Sequence, residues 1–205
     1  MLSACNFPFN IKTMNSFRRL FIFSSLLLGL FATATAQPVV LVTYHSKTGN
    51  TQGMAEAVAL GAAQVEGVKV VLKSIDETTT EDLLEAAAII VGSPVYNANV
   101  APEVQAFISS WPFEDAPLKN KIGAAFVTAG GISAGEELTQ MNMLQSMLIF
   151  GMIVVGGPEW TAPFGASAIV GEPPFLEEAG IAPQFFKKGE GLGRRVAELA
   201  VRMNQ

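Results

Sequence analysis

The chain is 205 residues long and half hydrophobic, enough apolar material for one well-cored domain, and its 18 acidic against 13 basic side chains give a net charge of −5. That acidic balance argues against nucleic acid or an anionic membrane surface as a partner. One histidine, His45, excludes a multi-histidine metal site, and one cysteine, Cys5, excludes an internal disulfide and a cysteine-ligated cluster.

Met14-Asn15-Ser16-Phe17-Arg18-Arg19 is a basic start, Leu20 to Phe31 an apolar run, and Ala34-Thr35-Ala36 a small-residue cleavage pattern. The apolar run is too short for a confident transmembrane span. Residues 1–36 are therefore expected to be a signal peptide with an upstream extension, cleaved near Ala36. Residues 37–205 are expected to form the mature domain, exported to the periplasm or another extracytoplasmic site without a stable membrane span. An uncleaved anchor helix is the alternative. Removing Lys12, Arg18 and Arg19 leaves 10 basic and 18 acidic side chains, a net −8.

Val39-Val40-Leu41-Val42 is a β-branched apolar run that suits a strand buried on both faces. Met54 to Leu60 is a helix-forming sequence with apolar residues at helical spacing. Between them Ser46-Lys47-Thr48-Gly49-Asn50-Thr51 is rich in hydroxyls and free of acid. The helix is expected to begin near Asn50-Thr51, its free N–H groups facing the loop, which makes a seat for one phosphate. An ordinary N-capped helix after a strand would look the same. Neither a P-loop nor a G-x-G-x-x-G turn occurs here.

Further strands are predicted over 68–72, 87–92, 122–127 and 152–155. Helices are predicted from Thr80, over 101–110, over 136–150 and over 189–203. Strands alternating with helices imply a doubly wound α/β fold with a five-stranded parallel sheet in the order 2-1-3-4-5 and helices on both faces. Its ligand crevice lies at the C-terminal ends of strands one and three. Two more loops reach that edge. Pro94, Val95, Tyr96, Asn97 and Asn99 offer an aromatic face and amides to a planar ring. Thr128, Ala129, Gly130 and Gly131 are small enough for the backbone to approach a ligand. Residues 156–188 interrupt the alternation with Trp160, Phe164, Phe175, Phe185 and Phe186. Such a connection either covers a ligand, meets another subunit or packs on its own domain.

Tyr44-x-Ser46-x-Thr48-Gly49-Asn50-Thr51-x-x-Met54-Ala55 resembles the phosphate loop of flavodoxin-like FMN proteins. The resemblance is to the group containing the NAD(P)H-dependent FMN reductases and the tryptophan-repressor-binding-protein type of NAD(P)H:quinone oxidoreductase. Gly92-Ser93-Pro94-Val95-Tyr96-x-x-Asn99-Val100 resembles their isoalloxazine loop. Gly135-x-Glu137-x-Thr139, Gly151-Met152 and Pro163-Phe164-Gly165-Ala166 are similar to the quinone-reductase type, and Phe113 falls where that type places an aromatic reaching a neighbouring subunit's flavin. Ile149-Phe150 replaces its usual His-His, and Tyr96-Asn97 its Arg-Phe.

The resemblance implies FMN held by Ser46, Lys47, Thr48, Gly49, Asn50 and Thr51, with its ring against the other two loops. It also implies NAD(P)H as donor, a quinone or similar acceptor, and a possible homo-oligomer, dimer or tetramer. The alternative is an exported flavodoxin that carries electrons without nicotinamide turnover. A flavin brings its own hydride chemistry, so no side chain is expected to act as catalytic acid or base. His45 is expected to turn with the loop or pack beside it.

Overall fold

The computed structural model describes residues 36–176 and 180–204, so the expected signal peptide, through residue 35, lies outside the described residues. Seven strands form one sheet: β1 (Val39–Tyr44), β2 (Lys69–Ser74), β3 (Ala86–Tyr96), β4 (Asn99–Val100), β5 (Ile122–Ala129), β6 (Ile153–Val154) and β7 (Ala166–Ile169). The helices are α1 (Asn50–Ala63), α2 (Thr80–Glu85), α3 (Pro102–Ser109), α4 (Glu136–Ile149) and α5 (Pro183–Met203). Among the described residues no helix is long and apolar enough to cross a membrane.

The main path runs β2-β1-β3-β5-β6, every pairing along it parallel. The expected order 2-1-3-4-5 holds, with a difference in the fifth position. That strand is split: β6 pairs with the start of β5 at Ile122 and Gly123, and β7 pairs with its end from Phe126 to Ala129. The intervening residues 155–165 leave the sheet and return. The predicted irregular stretch 156–188 therefore contains a strand, and also the first turn of α5. That helix begins at Pro183 rather than Gly189, since proline suits a first helical position after the extended Ala182.

Both faces of the sheet are covered, which is why its strands read as unbroken apolar runs. On one side Val40, Val42, Ala88 and Ile90 pack under α1 and α5, with Met54, Val58, Leu192 and Val196. On the other, Leu41, Ile89, Val91 and Val127 meet Leu83 of α2, Val104 and Ile108 of α3, and Met143 and Met147 of α4. The first side is packed backbone to backbone. A Cβ on Gly61 would lie 1.9 Å from the Glu190 carbonyl, and one on Gly193 would lie 1.9 Å from that of Val58. Gly92 plays a similar part inside the sheet, where a Cβ would fall 2.1 Å from the ring of Phe126.

Candidate functional site

At the C-terminal edge of the sheet the chain leaves β1 through Ser46 to Gly49. Gly49 sits at φ 88°, a left-handed conformation, and starts α1 with no side-chain cap and no acid in the first turn. The Ser46 hydroxyl accepts the Gly49 N–H at 3.1 Å, and the Asn50 side-chain amide reaches Thr48 Oγ1 at 3.4 Å. The first-turn N–H groups of α1 therefore face the loop without a carboxylate to neutralise them, beside the polar groups of Ser46, Thr48 and Asn50. This is an anion-receptive helix end.

Two residues of this loop also bond beyond it. Thr51 is buried, and its hydroxyl shares a hydrogen bond of 2.8 Å with that of buried Thr128, tying α1 to the end of β5. Lys47 pairs with an acid of α3. Its ammonium lies 2.7 Å from Glu103 Oε1 and 5.5 Å from the centre of the Tyr96 ring. The hydrogen bond with Glu103 raises the Lys47 pKa and lowers that of Glu103 from their ordinary values. His45 packs beside the loop as expected, its Nε2 3.8 Å from Glu103 Oε1.

The second loop is a tight hairpin, with Tyr96 paired to Asn99 and Val95 to Val100. Its two turn residues, Asn97 and Ala98, have φ 51° and 62°. Two successive left-handed residues match the twist of the flanking strands. Asparagine tolerates this conformation and alanine does so only with strain, about 1 kcal/mol. Buried Ser93 anchors the turn: its hydroxyl accepts the Ala101 N–H at 3.0 Å and donates to the Pro94 carbonyl at 2.8 Å. Val95, Tyr96, Asn97 and Asn99 line an open hollow of about 640 Å³ with Val100 and Pro102.

In the third loop Ala129 is buried as the last residue of β5. A Cβ on Gly130 would have no atom within 4 Å, so this backbone is open. Glu172 accepts the Ile132 N–H at 2.6 Å and lies beside Gly131. Gly135, at φ 99°, starts α4, and a Cβ there would come 2.5 Å from that of Ala98. The three loops thus touch in pairs: first and second through Lys47, Glu103 and Tyr96, second and third through Ala98 and Gly135, first and third through Thr51 and Thr128.

The long connection divides. Phe175 and Phe185 meet edge to face at 5.0 Å and pack on the α1 side of the core, as Phe186 does. Gly180 abuts the side chain of Asn50. Trp160 is 89 % exposed. Phe113 is 61 % exposed and leans on Phe150 at 5.8 Å, while Ile149 is 72 % exposed.

Sequence reasoning gave no separate role to Ser93, Glu103 or Glu172. Ser93 lies inside the recognised Gly-Ser-Pro turn, and Glu103 is the acid in the first turn of α3, so both carried a local signal. Glu172 carried none, because its role depends on β7 returning alongside β5.

Residues 38–167 match the family described as NADPH-dependent FMN reductase. The chain is 38 % identical over 170 residues to a flavodoxin of Aquifex aeolicus, covering 78 % of this chain and 85 % of that one. It is 33 % identical over 161 residues to an NAD(P)H dehydrogenase (quinone) of Azorhizobium caulinodans, covering 66 % and 79 %. Among solved structures, a flavodoxin, WrbA-like protein from Agrobacterium tumefaciens superposes with a TM-score of 0.67 at 24 % identity, over 82 % of this chain and 99 % of that one. An archaeal flavodoxin superposes with a TM-score of 0.61 at 25 % identity, over 80 % and 99 %.

Proposed function

The chain belongs to the NADPH-dependent FMN reductase family, among the FMN-binding flavodoxin-like oxidoreductases, and from that premise we propose that it passes electrons from NAD(P)H, by way of FMN, to a quinone or similar small acceptor. The observation that carries this reading is the uncapped, acid-free start of α1, enclosed by the two other loops.

The residues fit the cofactor. The first-turn amides of α1, with Ser46, Thr48, Gly49 and Asn50, would hold the phosphate. Thr51 and Thr128 would hold the seat in place from behind. Pro94 to Asn99 and Thr128 to Gly131 would flank the ring, the side-chain-free backbone of Gly130 allowing the closest approach. FMN, once bound, supplies hydride acceptance and two-electron donation. The chain's share is orientation: Tyr96, steadied by Lys47, presents an aromatic face in the 640 Å³ hollow where donor and acceptor would bind in turn. The test is anaerobic stopped-flow mixing of the FMN-loaded protein with NADH or NADPH. Reduction much faster than that of free FMN is expected, and a rate equal to free FMN would remove the enzyme reading.

A second reading, an electron carrier without nicotinamide turnover, draws on the relative named flavodoxin and on the apolar Ile149-Phe150. It would show a semiquinone stable over a wide potential range. Export rests on the order of residues 14–36, and N-terminal sequencing of protein from separated cell fractions checks it. Self-association rests on exposed Phe113 and Ile149 and is read by sedimentation.

A further inference from the structure

The average charge hides an uneven distribution. Of the ten basic residues in 37–205, five lie on α5: Lys187, Lys188, Arg194, Arg195 and Arg202. That helix carries only two acids, Glu190 and Glu198, while the rest of the span carries five basic and sixteen acidic residues. Lys187, Arg194 and Arg202 recur at helical spacing and are all exposed, so they form one outward stripe interrupted by Glu198. The opposite face of α5 is buried on α1 and the sheet.

The excursion between β6 and β7 is fastened to this helix. Gly157 N–H donates to the Ala162 carbonyl at 2.9 Å and closes the excursion on itself. Lys188 donates to the Thr161 carbonyl at 3.0 Å, Arg195 donates to that of Gly157, and Pro158 lies against Gly191. Clamped in this way, the tip presents Trp160 almost entirely to solvent, 89 % exposed. The hollow of about 600 Å³ between tip and helix is lined by Lys187, Lys188 and Arg194, with Glu159 and Glu190 as its acids.

An indole held out on a fixed tip beside a stripe of cations is the chemistry of the bilayer interface. Tryptophan settles at headgroup depth, and lysine and arginine pair with lipid phosphates. We propose that the Trp160 tip and the outward stripe of α5 dock reversibly on an anionic phospholipid surface. Charge complementarity selects this occupant. A neutral bilayer would gain nothing from the cations. The proposal stands on this face alone and does not depend on the flavin chemistry.

Trp160 is its own reporter, because the other tryptophan, Trp111, is buried. The full chain, loaded with FMN and without nicotinamide, is mixed with vesicles of brominated phosphatidylglycerol and phosphatidylcholine in equal parts, and with vesicles of brominated phosphatidylcholine alone. The expected result is quenching of tryptophan emission on the anionic vesicles only, weakened by salt, with Trp160→Ser lowering co-sedimentation of the protein with the same vesicles. Lys187→Gln and Arg202→Gln should each lower the partition coefficient about fivefold. Attachment through residues 1–36 alone would leave Trp160 unquenched and overturn the proposal, as would equal quenching on neutral vesicles. An emission shift that follows protein concentration without lipid would assign the face to a second copy of the chain and likewise overturn it.

Discussion

Two turns at the same edge of this sheet begin in the same way and then diverge. β1 leads to α1 through Gly49, β5 leads to α4 through Gly135, and each glycine is a left-handed N-cap without a side-chain cap. After Gly49 come Asn50, Thr51 and Gln52, with no acid. After Gly135 come Glu136 and Glu137, and Glu136 Oε1 accepts the Ser133 N–H at 3.3 Å. The second helix therefore supplies its own anion, while the first leaves its positive end open. A helix N-terminus becomes a seat for a ligand only where the sequence withholds a carboxylate.

The strongest way to break this contrast is to give α1 what α4 already has. Asn50→Asp places a carboxylate in the first turn. It should weaken FMN binding by about 3 kcal/mol or more, since it loses a hydrogen bond to a charged group and adds like-charge repulsion. The same change should stabilise the FMN-free protein by about 0.3–1 kcal/mol through the helix dipole. Fluorescence titration with FMN and thermal melts of the free protein read the two opposite signs. Thr48→Ala with Asn50→Ala removes the polar groups without adding charge and should cost affinity about 3 kcal/mol, roughly 1.5 for each group. Unchanged affinity in that double variant would remove the phosphate from this loop.

Much of this contrast can be read in the sequence, because strand, acid-free loop and helix are local. What escaped sequence reading depends on partners distant along the chain. Lys47 reads as a cation beside a phosphate, and its partner Glu103, 2.7 Å away, shows only in the structure. Thr51 and Thr128 both look like ligand hydroxyls, and the bond that joins them to each other shows only in the structure. The second half of the fifth strand, Ala166-Ser167-Ala168-Ile169, has almost no β-branched signature and becomes a strand because β5 offers it an edge.

The two caps differ in surroundings as well. Gly49→Ala meets no atom within 4 Å and should cost only its backbone strain, about 1 kcal/mol. Gly135→Ala adds a collision with Ala98 and should cost about 2–3 kcal/mol in urea unfolding, loosening the Tyr96 hairpin with it. Equal losses at the two sites would mean that the hairpin does not lean on Gly135. Glu136→Gln with Glu137→Gln makes the converse test, removing the anions from α4 at a cost of about 0.5–1 kcal/mol.

The smallest effect concerns pH. Glu103, with its pKa lowered by Lys47, contributes to stability above the ordinary carboxylate range near pH 4, and that contribution fades as pH falls through the lowered value. Lys47, with its pKa raised, contributes below the ordinary lysine range near pH 10, and that contribution fades as pH rises through the raised value. The bridge over Tyr96 is thus intact between those limits. Glu103→Gln should flatten the acid side of a stability–pH profile and change little at neutrality, where an exposed pair contributes little.

The glycine seam between α1 and α5 also sets a timetable. Gly61 and Gly193 bring α1 and α5 into backbone contact, and among the described residues α5 is the helix that packs most closely on α1. While residues 183–203 are still being synthesised, Met54, Val58 and the strand residues beneath them have no cover. Closure of that half of the core waits for the final helix, so a chain emerging from the ribosome stays open until it is almost complete.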